Sequence, residues 1–253
     1  MAKPARPEFH RALMQEGFFP EAKGRVKFQE TPTSYFYRAG NFIYKIRREI
    51  SGSGGPALRE AFAHDAHRAG LSWGPGVYHG VLPIVRRAEG FALAGEGQAI
   101  AYALKMTHLS GGHWLDRLIA QKKLTPTAVG RVARFLAEGH ALEPKRELSP
   151  EIARTDRLRL YSEEIFYQVK KYLGITVAAP LLDVVSRPVL KFIDESRKVL
   201  QRRQKRGLIV ECHGAFMPEH IYLLGKEVVA ISPLYGAPNF RVQDSANDLA
   251  TLR

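Results

Sequence analysis

The chain has 253 residues, of which 45% are hydrophobic and 25% charged, and this ordinary globular composition argues against a disordered, collagen-like or coiled-coil protein. Its 38 Lys and Arg outnumber its 25 Asp and Glu, for a net charge of +13, which favours an anionic partner. One cysteine, Cys212, excludes an intrachain disulfide and a Cys-rich zinc site. No apolar stretch is long enough for a transmembrane helix or a signal peptide, so we expect a cytoplasmic protein without membrane insertion.

The first 107 residues show mainly β patterning. Aromatic and β-branched runs flank Ala39-Gly40-Asn41, which is typical of a hairpin. A Gly-rich loop ends at Pro56, which is placed to open a helix. The predicted elements here are a helix over Glu8–Gln15, the hairpin, a helix over Ala57–Ala69 and β runs over Val77–Val85 and Ala99–Met106.

After Thr107 the hydrophobic period becomes helical. Thr125-Pro126 combines an N-cap with a proline at the first helical position. The predicted elements are a short apolar stripe over Trp114–Ile119, helices over Thr125–His140 and Tyr161–Tyr172, a helix opened by Pro188, and strands over Leu208–Cys212, His220–Leu224 and Val228–Ile231. This order, a small sheet with one helix followed by a helical region with a late hairpin, is that of a kinase-type phosphotransferase.

Lys45 lies in the apolar run Phe42–Ile46, just after the hairpin. A lysine there can reach nucleotide phosphates as a point charge when an acid on the next helix holds it. The helix that follows offers Glu60 and Asp65 as that acid. A lysine in an apolar strand is, taken alone, more often a snorkelling edge residue.

The later part of the chain carries a more specific pattern. Cys212-His-Gly-Ala-Phe-Met-Pro-Glu-His-Ile is followed by a β turn, then by Val228-Val-Ala-Ile-Ser, Asn239-Phe-Arg and Asp244-Ser-Ala-Asn-Asp-Leu-Ala. The ordered set resembles the aminoglycoside phosphotransferase-like family. The resemblance implies an α+β, two-lobed protein-kinase-like fold with a small antiparallel β N-lobe carrying one helix and a larger helical C-lobe carrying a short β hairpin. The implied division is an N-terminal extension over 1–24, an N-lobe over 25–107 and a C-lobe over 108–253.

The departures from the family pattern fall on its catalytic positions. Where the family has the Asp that accepts the proton of the substrate hydroxyl, this chain has Ala215. Where the family has a metal-binding Asn it has His220, and where the family has the metal-binding Asp at a strand end it has Ser232. Phosphoryl transfer requires a bound metal and a positioned nucleophile, and a methyl, an imidazole and a hydroxyl are poor substitutes for carboxylate oxygen on Mg²⁺. We therefore expect a pseudokinase, with no intact catalytic residue and no magnesium.

The resemblance also implies which parts of the scaffold remain. His213, Gly214 and Asp248 match the positions that tie the loop together by hydrogen bonds. Lys45, with Glu60 or Asp65, leaves a nucleotide pocket, and backbone groups of Lys105, Met106 and Thr107 would contact the purine of a metal-independent ATP. The competing interpretation is an empty cleft in which Lys45 is simply an ion-pair partner.

Three further hypotheses concern partners and residual activity. The family continues for several helices beyond the Asp-Leu-Ala stretch, so an apparently shortened C-lobe predicts a protein partner or self-association. Glu219 is the one carboxylate placed to act as a substitute base, which would make the chain an atypical ATP-dependent small-molecule phosphotransferase. A basic run predicts a nucleic-acid or ribonucleoprotein partner, with a solvated helix face as the alternative; its residues are Arg197, Lys198, Arg202, Arg203, Lys205 and Arg206.

Overall fold

The computed structural model describes residues 6–22, 24–48, 55–142, 156–236 and 241–252. The glycines Gly52 and Gly54 of the predicted loop and Asn239 of the family-like pattern lie outside them. The strands are β1 (Lys27–Glu30), β2 (Ser34–Ala39), β3 (Phe42–Arg47), β4 (Tyr78–Arg87), β5 (Gly90–Leu93), β6 (Gln98–Thr107), β7 (Ile209–Glu211), β8 (Ile221–Leu224), β9 (Glu227–Ala230) and β10 (Val242–Asp244). The helices are α1 (His10–Leu13), α2 (Pro56–Trp73), α3 (Leu115–Ala120), α4 (Pro126–Leu142), α5 (Asp156–Lys170), α6 (Ala179–Glu195), α7 (Arg197–Lys205) and α8 (Ala246–Ala250).

The arrangement is mixed α+β, as the sequence predicts, and its main element is an antiparallel sheet of order β1-β2-β3-β6-β4-β5. The hairpin predicted around Gly40 joins β2 to β3, with Ala39 paired to Phe42. Gly40 has φ +57°, and a Cβ there would lie 2.7 Å from the Glu21 carbonyl oxygen, so glycine is required at this turn. The two longer β runs become β4 and β6, which are paired along most of their length.

The two faces of the sheet pack against different parts of the chain, because successive side chains of a strand alternate. In β3, Tyr44 and Ile46 lie in a buried cluster with Phe9, Leu13 and Phe19 of the N-terminal segment. Lys45 and Arg47 therefore lie on the opposite face, where α2 packs across β4 and β6. This alternation decides which charged side chains lie on the α2 face of the sheet.

Helices α2 and α4 begin where the sequence predicts a helix start. Proline occupies the first turn of α2, and the amide of Ala128 in α4 donates to the Thr125 hydroxyl at 3.2 Å. Helix α2 runs to Trp73, beyond the predicted end at Ala69, because the Trp73 side chain is buried against Phe135 of α4 and Phe216. Tertiary packing thus extends this helix past its local stop signal.

The prediction that Pro188 opens a helix is wrong. Pro188 lies inside α6, and a different proline, Pro180, occupies the first turn of that helix. Pro188 is exposed, so the carbonyl group that loses its hydrogen-bond donor can be solvated by water, which makes an internal proline tolerable. Among the residues predicted to face inward, Ile193 is buried but Val189 is 37% exposed.

The C-terminal strands form two small antiparallel pairs, β7 with β10 and β8 with β9. Together with the turn Pro218–His220 they surround the loop that carries the family-like pattern. Within the described ranges, no helix combines the length and apolarity needed to cross a membrane. The division into lobes at Thr107 remains a prediction.

Candidate functional site

The loop after β7 is held from behind by a buried carboxylate. Asp248 is fully buried, and its two oxygens accept hydrogen bonds from the backbone amides of His213 and Gly214, each at 2.8 Å. The Nε2 atom of His140 lies 3.0 Å from the same carboxylate. Gly214 adopts φ +77°, and a Cβ there would lie 2.9 Å from Cβ of Leu234. The loop is thus a tight turn whose backbone amides bind the buried carboxylate of Asp248.

The His213 side chain is a structural part of this loop. It is fully buried, and burial lowers its pKa to about 4, so the imidazole is neutral at physiological pH. Its Nε2 atom lies 3.1 Å from the Ile231 carbonyl, and the Ala215 amide donates to its Nδ1 atom at 3.3 Å. The ring therefore links the loop to the strand end that precedes Ser232.

The three positions that depart from the family pattern are neighbours in the structure. The Nδ1 atom of His220 donates to the Ala215 carbonyl at 2.8 Å, and the His220 carbonyl accepts the Ile231 amide at 2.9 Å. Ser232 follows directly, with φ +57° and its amide donating to the Tyr78 hydroxyl at 2.8 Å. This patch consists of a methyl, a hydrogen-bonded imidazole and a hydroxyl, and none of the three can hold a hard divalent cation as a carboxylate would. Glu219 next to it is exposed on the 3-10 turn.

The predicted pairing of Lys45 with Asp65 or Glu60 is wrong. Asp65 accepts two hydrogen bonds from the guanidinium of Arg241 at 2.9 and 3.0 Å, a third from the Gly236 amide at 2.8 Å and a fourth from Arg68 at 2.5 Å. Burial alone would raise the pKa of Asp65, but the Arg241 guanidinium and the Gly236 amide lower it to about 2. Glu60 is half exposed and accepts the Tyr102 hydroxyl. A buried arginine, 1% exposed, therefore takes the acid that the sequence assigned to the lysine.

Lys45 instead faces aromatic rings. Its Nζ atom lies 4.8 Å from the ring centre of Tyr235 and 5.9 Å from that of Phe36. The guanidinium of Arg47 lies 4.1 Å from the ring of Phe62 and 5.9 Å from the same Tyr235 ring. Over the ranges that the structure describes, neither cation forms an ion pair with a carboxylate. The two cations are held in place by cation–π contacts.

The strand end predicted to contact a purine is already hydrogen-bonded to the strands on both sides. Residues 105 to 107 lie between β3 and β4, with which they are paired on both sides. The amide of Thr107 donates to the Val77 carbonyl, and that of His108 to the Asn41 carbonyl, each at 2.8 Å. The Lys105 side chain pairs with Glu21 on the face opposite Lys45. A purine at Lys105, Met106 and Thr107 would have to displace part of this ladder.

A cavity of about 530 Å³ lies on the α2 face of the sheet. It is bounded by the first half of α2, the end of β3, the first half of β6 and Tyr235, and also by residues 7 to 9 and Tyr35. The described lining residues include four cations, Lys45, Arg47, Arg48 and Arg59, and one carboxylate, Glu8. Residues 105 to 107, Ala215, His220 and Ser232 are not part of the lining. The cavity beside Lys45 is thus separate from the segment predicted to hold the purine.

The predicted basic patch lies on α7 and just beyond it. Arg203 is bound to Asp244 through two hydrogen bonds, at 2.5 and 2.7 Å, so one of the six cations serves the packing of α7 on β10. The remaining residues are exposed: Arg197, Lys198, Arg202, Lys205 and Arg206. A nucleic-acid partner for this surface stays a prediction.

Three side chains of metal-binding type meet behind the loop, although the sequence suggested no metal site. Ligand atoms of His140, Cys212 and Asp248 lie within 4.8 Å of one another. Each already has a protein partner: Asp248 as above, and the Cys212 thiol 3.7 and 3.8 Å from the carbonyls of Gln243 and Asp244. Burial, with Asp248 and Asp244 nearby, raises the pKa of the Cys212 thiol. The cluster is therefore satisfied as a hydrogen-bond network without an ion.

Helices α5 and α6 pack on each other and expose large apolar side chains. The most exposed on these helices and on the turn that joins them are Leu160, Tyr167, Ile175, Val184 and Phe192, each at 60% or more. Such a surface is typical of an interface, and the expected protein partner or second copy stays a prediction.

Sequence reasoning missed the residues that distinguish this site most. Arg241 belongs to the quoted Asn239-Phe-Arg segment, but no role at this site was predicted for Arg241, Tyr235 or Arg47. An arginine two residues after Lys45 lies on the same strand face, and this spacing alone was a signal that could have been used.

Comparisons with known proteins return similar solved structures but no match in sequence. No family model and no curated protein matches the sequence. Among solved structures, one similar chain is a choline/ethanolamine kinase family protein from Mesorhizobium loti, with 16% sequence identity and a TM-score of 0.46. The alignment covers 94% of this chain and 64% of that one, so this chain spans less than two thirds of that protein's length.

Proposed function

We propose that this chain is a catalytically impaired kinase homologue that acts as a binding module, for a nucleotide or a protein partner, rather than as a phosphotransferase. The observation that carries the proposal is the patch formed by Ala215, His220 and Ser232. His220 contacts Ala215, and the Ile231 amide just before Ser232 donates to the His220 carbonyl. The resemblance assigns a base and two metal ligands to these three positions, and a phosphotransferase needs them. A single lost ligand can be replaced by a neighbour, but three adjacent losses leave no anchor for the metal.

The neighbouring carboxylates do not supply a replacement. Asp248 is committed to the amides of His213 and Gly214, and Asp65 is committed to Arg241. Withdrawing either would leave buried donors unpaired, at a cost of about 1–3 kcal/mol each. Glu219 is exposed on the 3-10 turn, so solvent rather than protein surrounds its carboxylate.

Nucleotide binding without a metal is part of the proposal. Lys45 is the cation that would meet a nucleotide phosphate, and no acid of α2 neutralises it. Any bound ATP would have its charge balanced by protein cations instead of Mg²⁺.

The test is a thermal-shift titration with ATP in excess EDTA and again with Mg²⁺, together with a sensitive assay for phosphate release. We expect any stabilisation by ATP to be independent of Mg²⁺, and no turnover above the rate of a Lys45→Gln variant. Arg202→Gln, which removes one exposed charge on α7, is the matched control. Steady Mg²⁺-dependent turnover that is lost in Lys45→Gln and kept in Arg202→Gln would refute the proposal.

A further inference from the structure

The cavity on the α2 face of the sheet is distinctive in its charge. Among the described residues, four cationic side chains and one carboxylate line it, and that carboxylate, Glu8, is paired with Arg86. A cavity of about 530 Å³ is within the usual size range of small-molecule sites. Positive side chains gathered around a partly enclosed space repel one another unless an anion lies between them.

Two of these cations are oriented for a ligand. Lys45 and Arg47 are two residues apart on β3, so their Cα atoms are roughly 7 Å apart on one face of the strand. Both approach the ring of Tyr235, and the Arg47 guanidinium also lies 4.1 Å from the ring centre of Phe62. A guanidinium held against an aromatic ring can still present N–H groups to an oxyanion in a bidentate manner.

The acids that could neutralise them are engaged elsewhere. Asp65 is bound by Arg241 and the Gly236 amide, and Glu60 lies with His64 and Tyr102. Throughout the described part of the chain, Lys45 and Arg47 have no carboxylate partner. Their charges are therefore available to a molecule from outside.

We propose that this cavity binds a phosphorylated small molecule with at least two negative charges, through direct contacts with Lys45 and Arg47 and without a metal ion. Two linked phosphate groups match two cations on one strand face. The rings of Phe62, Tyr102 and Tyr235 provide the apolar walls for the rest of the ligand. The inference goes beyond the proposed function, because it involves neither a purine nor the segment 105–107.

The experiment is calorimetric titration of inorganic pyrophosphate into the full chain, in EDTA at low ionic strength. We expect saturable binding that weakens by about tenfold or more in Lys45→Gln and in Arg47→Gln, since a hydrogen bond to a charged group contributes that much. Arg47→Lys keeps the charge but loses the planar fork, so its affinity should fall between that of the native chain and Arg47→Gln. Arg202→Gln should bind like the native chain.

Several outcomes would overturn the inference. These are no binding in EDTA, binding that requires Mg²⁺, equal binding in Arg47→Gln and Arg202→Gln, or equally tight binding of citrate. Thermal melts of each variant establish that it is folded, so a loss of affinity is not a loss of structure. Turnover of Mg²⁺-ATP would refute the proposed function but would not produce Arg47-dependent binding of pyrophosphate in EDTA, so the two failures are distinguishable.

Discussion

The ion pair between Asp65 and Arg241 predicts a specific dependence of stability on pH. The pKa of Asp65 is lowered to about 2 in the folded protein, from 3.8. The unfolded chain therefore binds more protons at low pH, and the contribution of Asp65 to stability is present above about pH 4 and is lost as the pH falls towards 2. A lowering of almost two pH units corresponds to about 2–3 kcal/mol, and the Asp65 side chain is only 12% exposed, so solvent screens it little.

The assay is urea unfolding at pH values from about 6 down to about 2.5, comparing the native chain with Asp65→Asn. The difference between their free energies of unfolding should shrink by about 1.5 kcal/mol over this interval, since Asn does not titrate, and the rest of the roughly 2–3 kcal/mol is lost only below about pH 2.5. Arg241→Met should remove most of the same pH dependence, whereas Lys45→Met should leave it intact. If Lys45→Met removed the dependence and Arg241→Met did not, the acid of α2 would belong to the lysine and the reasoning would fail.

Three smaller predictions follow from the loop and its surroundings. Gly214→Ala should lower the free energy of unfolding by about 2–4 kcal/mol, through backbone strain and a close contact. Gly225 has φ +58° but open space around it, so Gly225→Ala should lower the free energy of unfolding by only about 1–2 kcal/mol; urea unfolding measures both. The Cys212 thiol, buried and with its pKa raised, should react with a thiol reagent only on unfolding; rapid modification of the folded chain would contradict this. Tyr78→Phe should cost about 1–3 kcal/mol in unfolding free energy by leaving the Ser232 amide unpaired, and an unchanged stability would show that water replaces the hydroxyl.

Local signals predicted local structure well. The hairpin at Gly40 and the start of α4 at Thr125-Pro126 depend on one turn or one cap, and such features are encoded within a few residues. Pro188 shows the limit of this reasoning. A proline can occupy either the first turn or an exposed interior position of a helix, and only the preceding Pro180, which occupies the first turn of α6, separates the two cases.

The candidate site could be predicted only in part, because its charges are paired over long distances in sequence. Asp65 and Arg241 are 176 residues apart, and no pattern along the chain distinguishes Arg241 from Lys45 as the partner. The face of the sheet on which the Lys105 side chain lies could not be predicted either. Strand alternation places it on the opposite face from Lys45 once the register of β3 against β6 is known, and that register pairs Lys45 with Leu104.

Asp65 pairs with Arg241 instead of the predicted Lys45, and this pairing connects the two proposals. An acid held by Arg241 does not pair with Lys45, so among the described residues Lys45 and Arg47 lie beside the cavity without a carboxylate partner. Ala215 and Ser232, outside the cavity lining, add no carboxylate to this part of the chain. On the two proposals, the surplus of positive charge disfavours a metal–nucleotide complex and favours a phosphate anion without a metal. On this reasoning, restoring carboxylates with Ala215→Asp and Ser232→Asp together should weaken pyrophosphate binding in EDTA, even though neither residue lines the cavity, and unchanged or tighter binding would show that the two regions are electrostatically independent.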